Sequence, residues 1–91
     1  MEDSGTHRKV IRAIHAKKEW RDGDPFAIWE IRDASGVSTA SVRRTVDKLV
    51  EWLFVVYSEK AFRQRHYRVT ARWSNAEEVI RDFEMGKVIG L

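Results

Sequence analysis

Between Phe26 and Val69 the hydrophobic period of the chain changes, and the order of the changes limits the fold more than any other feature. An amphipathic stretch, residues 26–35, runs into a turn at Gly36. A Ser/Thr-capped, arginine-bearing stretch, residues 38–52, follows. Two β-rich runs, residues 54–58 and 65–70, then flank a basic tip at residues 59–64. Apolar residues spaced three and four apart mark a helix, and strict alternation marks a strand. The order is therefore helix, turn, helix, hairpin, and it sets cations on one helix and on the hairpin.

The second stretch is the clearest. Ser38 is a natural N-cap, because its hydroxyl can accept from a backbone N–H of the first turn. Val42, Val46, Leu49, Val50 and Leu53 then form a helical core stripe, with Arg43, Arg44, Asp47 and Glu51 on other sides and Lys48 on the flank. Before it, Asp24 reads as an N-cap with Pro25 at the first helical position, and Ile28, Ile31 and Ala34 share a face. Gly36 ends that helix, since glycine enters the left-handed region freely. In the hairpin, Val55 and Tyr57 alternate with Phe54 and Val56, and Tyr67 and Val69 with Arg68 and Thr70. Six residues between the runs predict a loop, not a two-residue turn.

Outside this core, residues 6–20 read as a first helix whose stripe is Val10, Ile11 and Ile14. Ser74 and Glu77 make a capping-box pattern, which predicts a C-terminal helix near residues 74–86 with Val79, Ile80 and Phe83 on its apolar side. A start at Thr70 would extend that helix through Trp73. The whole chain, 1–91, reads as one domain, with the helix, turn, helix segment near 25–53 and the hairpin near 54–70. Four Trp, four Phe and two Tyr are many for this length, so most are expected in the core.

The charge is unevenly spread. Residues 4–73 carry 15 Lys/Arg against 8 Asp/Glu, whereas residues 74–91 carry 2 against 4. A basic body with an acidic end suits a polyanionic partner for the body. The chain has no Cys, so disulfides and cysteine-based zinc sites are excluded. No apolar run reaches the ~18 residues of a membrane span, and residues 1–4 are acidic where a secretory leader is basic. A cytoplasmic protein is the expectation, in a prokaryotic or viral setting, with no membrane association.

A helix laid in the major groove needs short polar groups at its N-terminal end and forked donors behind them. Ser38, Thr39 and Ser41 supply the first, Arg43 and Arg44 the second, and Lys48 suits a phosphate. The ordinary reading of the same residues is a solvated helix face. Lys60, Arg63, Arg65 and Arg68, with Gln64 and His66 among them, form a second cluster on the hairpin, from which Arg63 or Arg65 could reach a minor groove or a phosphate, or which could simply keep an exposed sheet edge soluble. Phe62 at the tip could act as a wedge between bases or fold back onto the hairpin.

No catalytic arrangement is visible. Asp22, Asp24, Glu30 and Asp33 are scattered by helical geometry, and His7, His15 and His66 lack close metal-ligand spacing. The chain is expected to be no enzyme, to need no cofactor or metal, and to show no evident small-molecule effector. Trp20, Trp29, Trp52 and Trp73 could line an effector pocket but fit core filling and a subunit contact better.

Residues 29–50, WEIRDASGVSTASVRRTVDKLV, resemble the helix–turn–helix core of winged-helix transcription regulators. The pattern Gly36-Val37-Ser38, Val42-Arg43-Arg44 and Leu49 is similar to that of GntR-type regulators. His66-Tyr67-Arg68-Val69-Thr70 is similar to the returning wing strand of MarR- and PadR-type proteins. The resemblance covers about half the chain and marks a superfamily. It implies a mainly α fold with a β-hairpin wing, a three-helix core and a C-terminal helix. It also implies sequence-specific binding of double-stranded DNA through Ser38, Thr39, Ser41, Arg43 and Arg44, and a homodimer on a two-fold site. Trp73, Val79, Ile80 and Phe83 are the expected dimer contact. The rival reading is a winged helix used only for protein contact. Two departures are Leu53, which stands where the superfamily usually has glycine after the third helix, and Trp29, a large side chain near the surface of the second helix that could pack on Trp20 or contact a partner.

Overall fold

The computed structural model describes residues 5–61 and 63–86. Along them run α1 (Thr6–Ala16), α2 (Lys18–Arg21), β1 (Phe26–Ala27), α3 (Ile28–Ser35), α4 (Thr39–Glu51), β2 (Val55–Ala61), β3 (Gln64–Val69) and α5 (Ala76–Glu84). The three strands form one antiparallel sheet in the order β1-β3-β2. The helix, turn, helix, hairpin order is as expected.

The core is one cluster. Val10, Ile11 and Ile14 of α1 meet Ile31 of α3, Val42, Val46 and Leu49 of α4, and Val79 of α5, all without solvent exposure. These are the stripes that the periodicity predicts for α1, α4 and α5. Phe26, Phe54 and Tyr67 close the core beneath the sheet. The α3 stripe is narrower than expected: Ile31 is buried, Ile28 is half-buried and Ala34 is exposed.

Four local expectations are corrected. The first helix does not run to Trp20. Lys17 is extended (φ −91°, ψ 114°), and the chain turns into the short α2, which brings Trp20 against Phe26 with ring centroids 5.6 Å apart. Asp24 and Pro25 do not start α3. Phe26 and Ala27 pair with Tyr67 and His66 as β1, and the Glu30 side chain accepts from the Ala27 N–H at 2.9 Å, so α3 is capped from inside its own first turn. The hairpin is tighter than expected, with pairing out to Ala61 opposite Gln64, two residues between them, and Arg63 at φ 65°. A bulge between Tyr57 and Glu59 takes up the odd residue. The cap of α5 is Asn75, which accepts from the Glu78 N–H at 3.0 Å, while Ser74 bonds the Glu78 carboxylate.

The end of α4 shows what replaces the usual glycine. The Phe54 N–H bonds the Leu49 carbonyl and the Leu53 N–H the Val50 carbonyl, which together form a Schellman motif. Leu53 holds its left-handed position at φ 68°, with its side chain 62% exposed. It is not the last member of the core stripe.

Candidate nucleic-acid interface

Ser38 caps α4 as expected, its hydroxyl accepting from the Ser41 N–H at 3.3 Å. Gly36 ends α3 at φ 74°, its N–H bonding the Arg32 carbonyl, and so sets the angle between the two helices. With Val42, Val46 and Leu49 in the core, the outward surface of α4 carries Ala40, Arg43, Arg44, Asp47 and Lys48, all exposed.

Arg43 and Arg44 do not point the same way. Successive helical side chains are rotated by about 100°. Arg43 joins Thr39 in a cleft of about 490 Å³ between α4, α3 and the hairpin. Arg44 lies on the other flank, bonded to the Ser41 hydroxyl at 3.3 Å, beside Lys48 in a groove against His7 and Phe83. Asp47 borders both. The structure thus places Arg63, Gln64 and Arg65 of the hairpin together with Arg43 and Thr39, and keeps Ser41, Arg44 and Lys48 apart from them. Lys60 belongs to β2 opposite Arg65. Phe62, like Val88 and Ile89 of the tail, lies outside the described residues.

The sequence marks Trp29 as a large side chain near the surface of its helix but not as part of a cleft, and it does not mark Arg32. Trp29 and Arg32 of α3 form the third side of the cleft. Trp29 is 46% exposed and does not pack on Trp20. Its signal was present, because it falls off the Ile28–Ile31 face of an amphipathic helix, where large aromatics are uncommon.

Several cations elsewhere are matched locally. Arg8 bonds Glu84 at 2.9 Å, Arg12 bonds Glu77 at 3.2 Å and Lys18 bonds Asp22 at 2.6 Å. Glu84 also takes the His7 Nε2 at 2.6 Å, and His7 stacks on Phe83 at 5.0 Å. The bonds from Arg8 and then His7 pull the Glu84 carboxyl from the usual range down to about 2. The acids of α5 therefore neutralise Arg8 and Arg12 of α1. Among the described residues, Arg43, Arg63 and Arg65 make no ion pair of this kind.

The expected dimer residues are used inside the chain. Val79 is fully buried, Ile80 and Trp73 nearly so, and the Trp73 Nε1–H donates to His15 Nδ1 at 3.1 Å. Phe83 is half-buried against the core. The apolar side of α5 faces α1.

Two solved structures are similar over almost the whole chain. One, of BpsR from Bordetella bronchiseptica, concerns regulation of its DNA binding by 6-hydroxynicotinic acid. It matches with a TM-score of 0.60 at 16% identity, over 93% of this chain and 56% of that one. The other, a MarR family transcriptional regulator from Silicibacter pomeroyi, matches with a TM-score of 0.58 at 19% identity, over 89% and 54%. The fold is a winged helix. The chain spans about half the length of either structure. No protein-family model and no curated protein matches the chain. Neither structure bears on the GntR- and PadR-like details of the turn and wing. Among the described residues no group of His, Asp and Glu could hold a metal ion, and no helix is long and apolar enough to cross a membrane.

Proposed function

We propose that the chain binds double-stranded DNA and regulates transcription, with α4 in the major groove and the β2–β3 wing on the backbone or minor groove. The observation that carries this reading is the contrast in charge pairing. Arg8 and Arg12 of α1 are matched by Glu84 and Glu77 of α5, while Arg43, Arg63 and Arg65 converge on one cleft without such partners. Unpaired guanidinium groups around a groove suit a polyanion. The DNA-binding BpsR and the MarR family regulator share the fold, which supports the same conclusion.

On this reading Ser38, Thr39 and Ser41 meet the backbone at the start of α4. Arg43 and Arg44, on opposite flanks, serve different base pairs or strands instead of converging on one guanine. Lys48 meets phosphate, and Lys60, Arg63, Gln64 and Arg65 supply the wing contacts. Asp47 between the arginines can accept from a cytosine amino group. A homodimer on a two-fold site belongs to the proposal. With Trp73, Val79 and Ile80 inside the core, Phe83 and the exposed Met85 are what this end offers a second copy among the described residues. A small-molecule effector is compatible with the reading, as the DNA binding of BpsR is regulated by one.

The test is a fluorescence-anisotropy titration of wild type and an Arg43→Ala/Arg44→Ala variant against random duplex DNA at two salt concentrations. Salt-sensitive binding that the variant loses is expected. Absence of duplex binding at low salt would transfer the case to a winged helix for protein contact.

A further inference from the structure

A helix in a major groove and a hairpin in the neighbouring minor groove have to straddle the sugar–phosphate strand that separates the two grooves. That strand must cross whatever space lies between helix and hairpin. In this protein the space is the cleft whose sides are Arg43 of α4, Arg63 and Arg65 of the wing, and Trp29 of α3. Three of these are cations. The fourth is an indole nearly half exposed, in a chain whose Trp20 and Trp73 are buried.

Trp29 is costly to leave in water unless something covers it. A tryptophan ring carries a large apolar face, and its one polar atom is an N–H donor. In Trp73 that donor is used, on His15 at 3.1 Å. In Trp29 it has no acceptor among the described residues. An exposed apolar face beside a free donor, facing guanidinium groups across a cleft, complements a deoxyribose joined to a phosphate.

We infer that this cleft seats the strand dividing the two grooves, and that Trp29 clamps it, its ring against a deoxyribose and its Nε1–H donating to a phosphate oxygen. The clamp rests on the DNA-binding reading above and adds to it a contact that is indifferent to base sequence. Because Trp29 is uncharged, it displaces no counterions and adds nothing to the salt slope. This separates it from every cation in the site.

The experiment compares wild type, Trp29→Ala and Trp29→Phe for binding to random-sequence duplexes at several salt concentrations, with circular dichroism as the check on folding. Trp29→Ala should weaken every duplex alike by about ten- to hundredfold, the effect of losing one hydrogen bond to a charged acceptor. The slope of log affinity against log salt should not change. Trp29→Phe, which keeps a ring without the donor, should recover part of the loss. Independently, the emission that wild type has and Trp29→Phe lacks should become less accessible to acrylamide when duplex is added, a readout that does not depend on the alanine variant folding. Wild-type affinity in Trp29→Ala, or unchanged acrylamide quenching in the complex, would overturn the clamp and leave DNA binding standing. Failure of wild type to bind duplex at low salt would remove both.

Discussion

The Thr70 hydroxyl donates to the Leu53 carbonyl at 2.6 Å and ties the end of α4 to the strand that returns from the wing. The same hydroxyl accepts from the Arg72 N–H at 3.2 Å, and the Thr70 N–H bonds the Phe54 carbonyl. The orientation of the wing relative to α4 is thus set at a junction whose central residue, Leu53, sits in a left-handed conformation.

Substitutions at the junction should act in opposite directions. Leu53→Gly removes the left-handed penalty and gives up little packing, since the side chain is 62% exposed. Set against the added freedom of the unfolded chain, the net gain should be about 0.5–1 kcal/mol. Thr70→Val should cost about 1–2 kcal/mol by removing the bridge. Urea denaturation measures both, and a loss of stability in Leu53→Gly would mean that the leucine side chain contributes to packing.

The apolar side of α5 belongs to the monomer. Val79 has no exposure, so Val79→Ala should destabilise the chain by on the order of 2 kcal/mol through lost burial and a residual cavity. The midpoint of unfolding should shift equally at every protein concentration. A shift that grows on dilution would instead place Val79 between subunits.

The Glu84 cluster makes part of the stability depend on pH. Its folded pKa, about 2, lies below the ordinary value of 4.5. The unfolded chain therefore binds more protons between these values, and stability rises with pH across that window. The contribution is complete above about pH 5 and is lost as pH falls toward 2. The gap in stability between wild type and Glu84→Gln should be flat from pH 5 to 7 and close below pH 4.5. A gap that does not change with pH would show that charge on Glu84 is not what holds α5 to Arg8 and His7.

For DNA, the two clusters should separate by type of effect. Arg63 is best replaced by glycine, which accepts its φ of 65° and so deletes the cation without straining the turn. Arg63→Gly should weaken all duplexes alike and reduce the salt slope by about 0.9. Arg43→Ala and Arg44→Ala should each cost about 1–3 kcal/mol on a preferred site and relax its sequence preference. Because the two lie on opposite flanks of α4, they should relax it at different base positions. Competition titrations against single-base variants of a selected site measure this.

Much of the fold could be read from local pattern, because it depends on interactions within a few residues. The buried stripes of α1 and α4, the Ser38 cap and the Gly36 turn are of this kind. The misreadings share a cause. Asp24-Pro25 is a good helix start in isolation, but Phe26 and Ala27 gain more by pairing with Tyr67 and His66, about forty residues away, and α3 starts later. Periodicity placed Leu53 on the core stripe, yet the α4 stop that feeds β2 turned its side chain outward.

The sequence by itself determined which faces are apolar, where α4 begins and which residues carry charge, since these follow from side-chain chemistry and helical spacing. Only the tertiary structure decided how those charges are used. It laid α5 on α1, so that Glu77 and Glu84 neutralise Arg12 and Arg8, and it folded the wing toward α3, so that Arg63 and Arg65 face Trp29 and Arg43 across one cleft. Coulomb energy and desolvation depend on distances in space, and residues tens of positions apart come within reach only when the core closes.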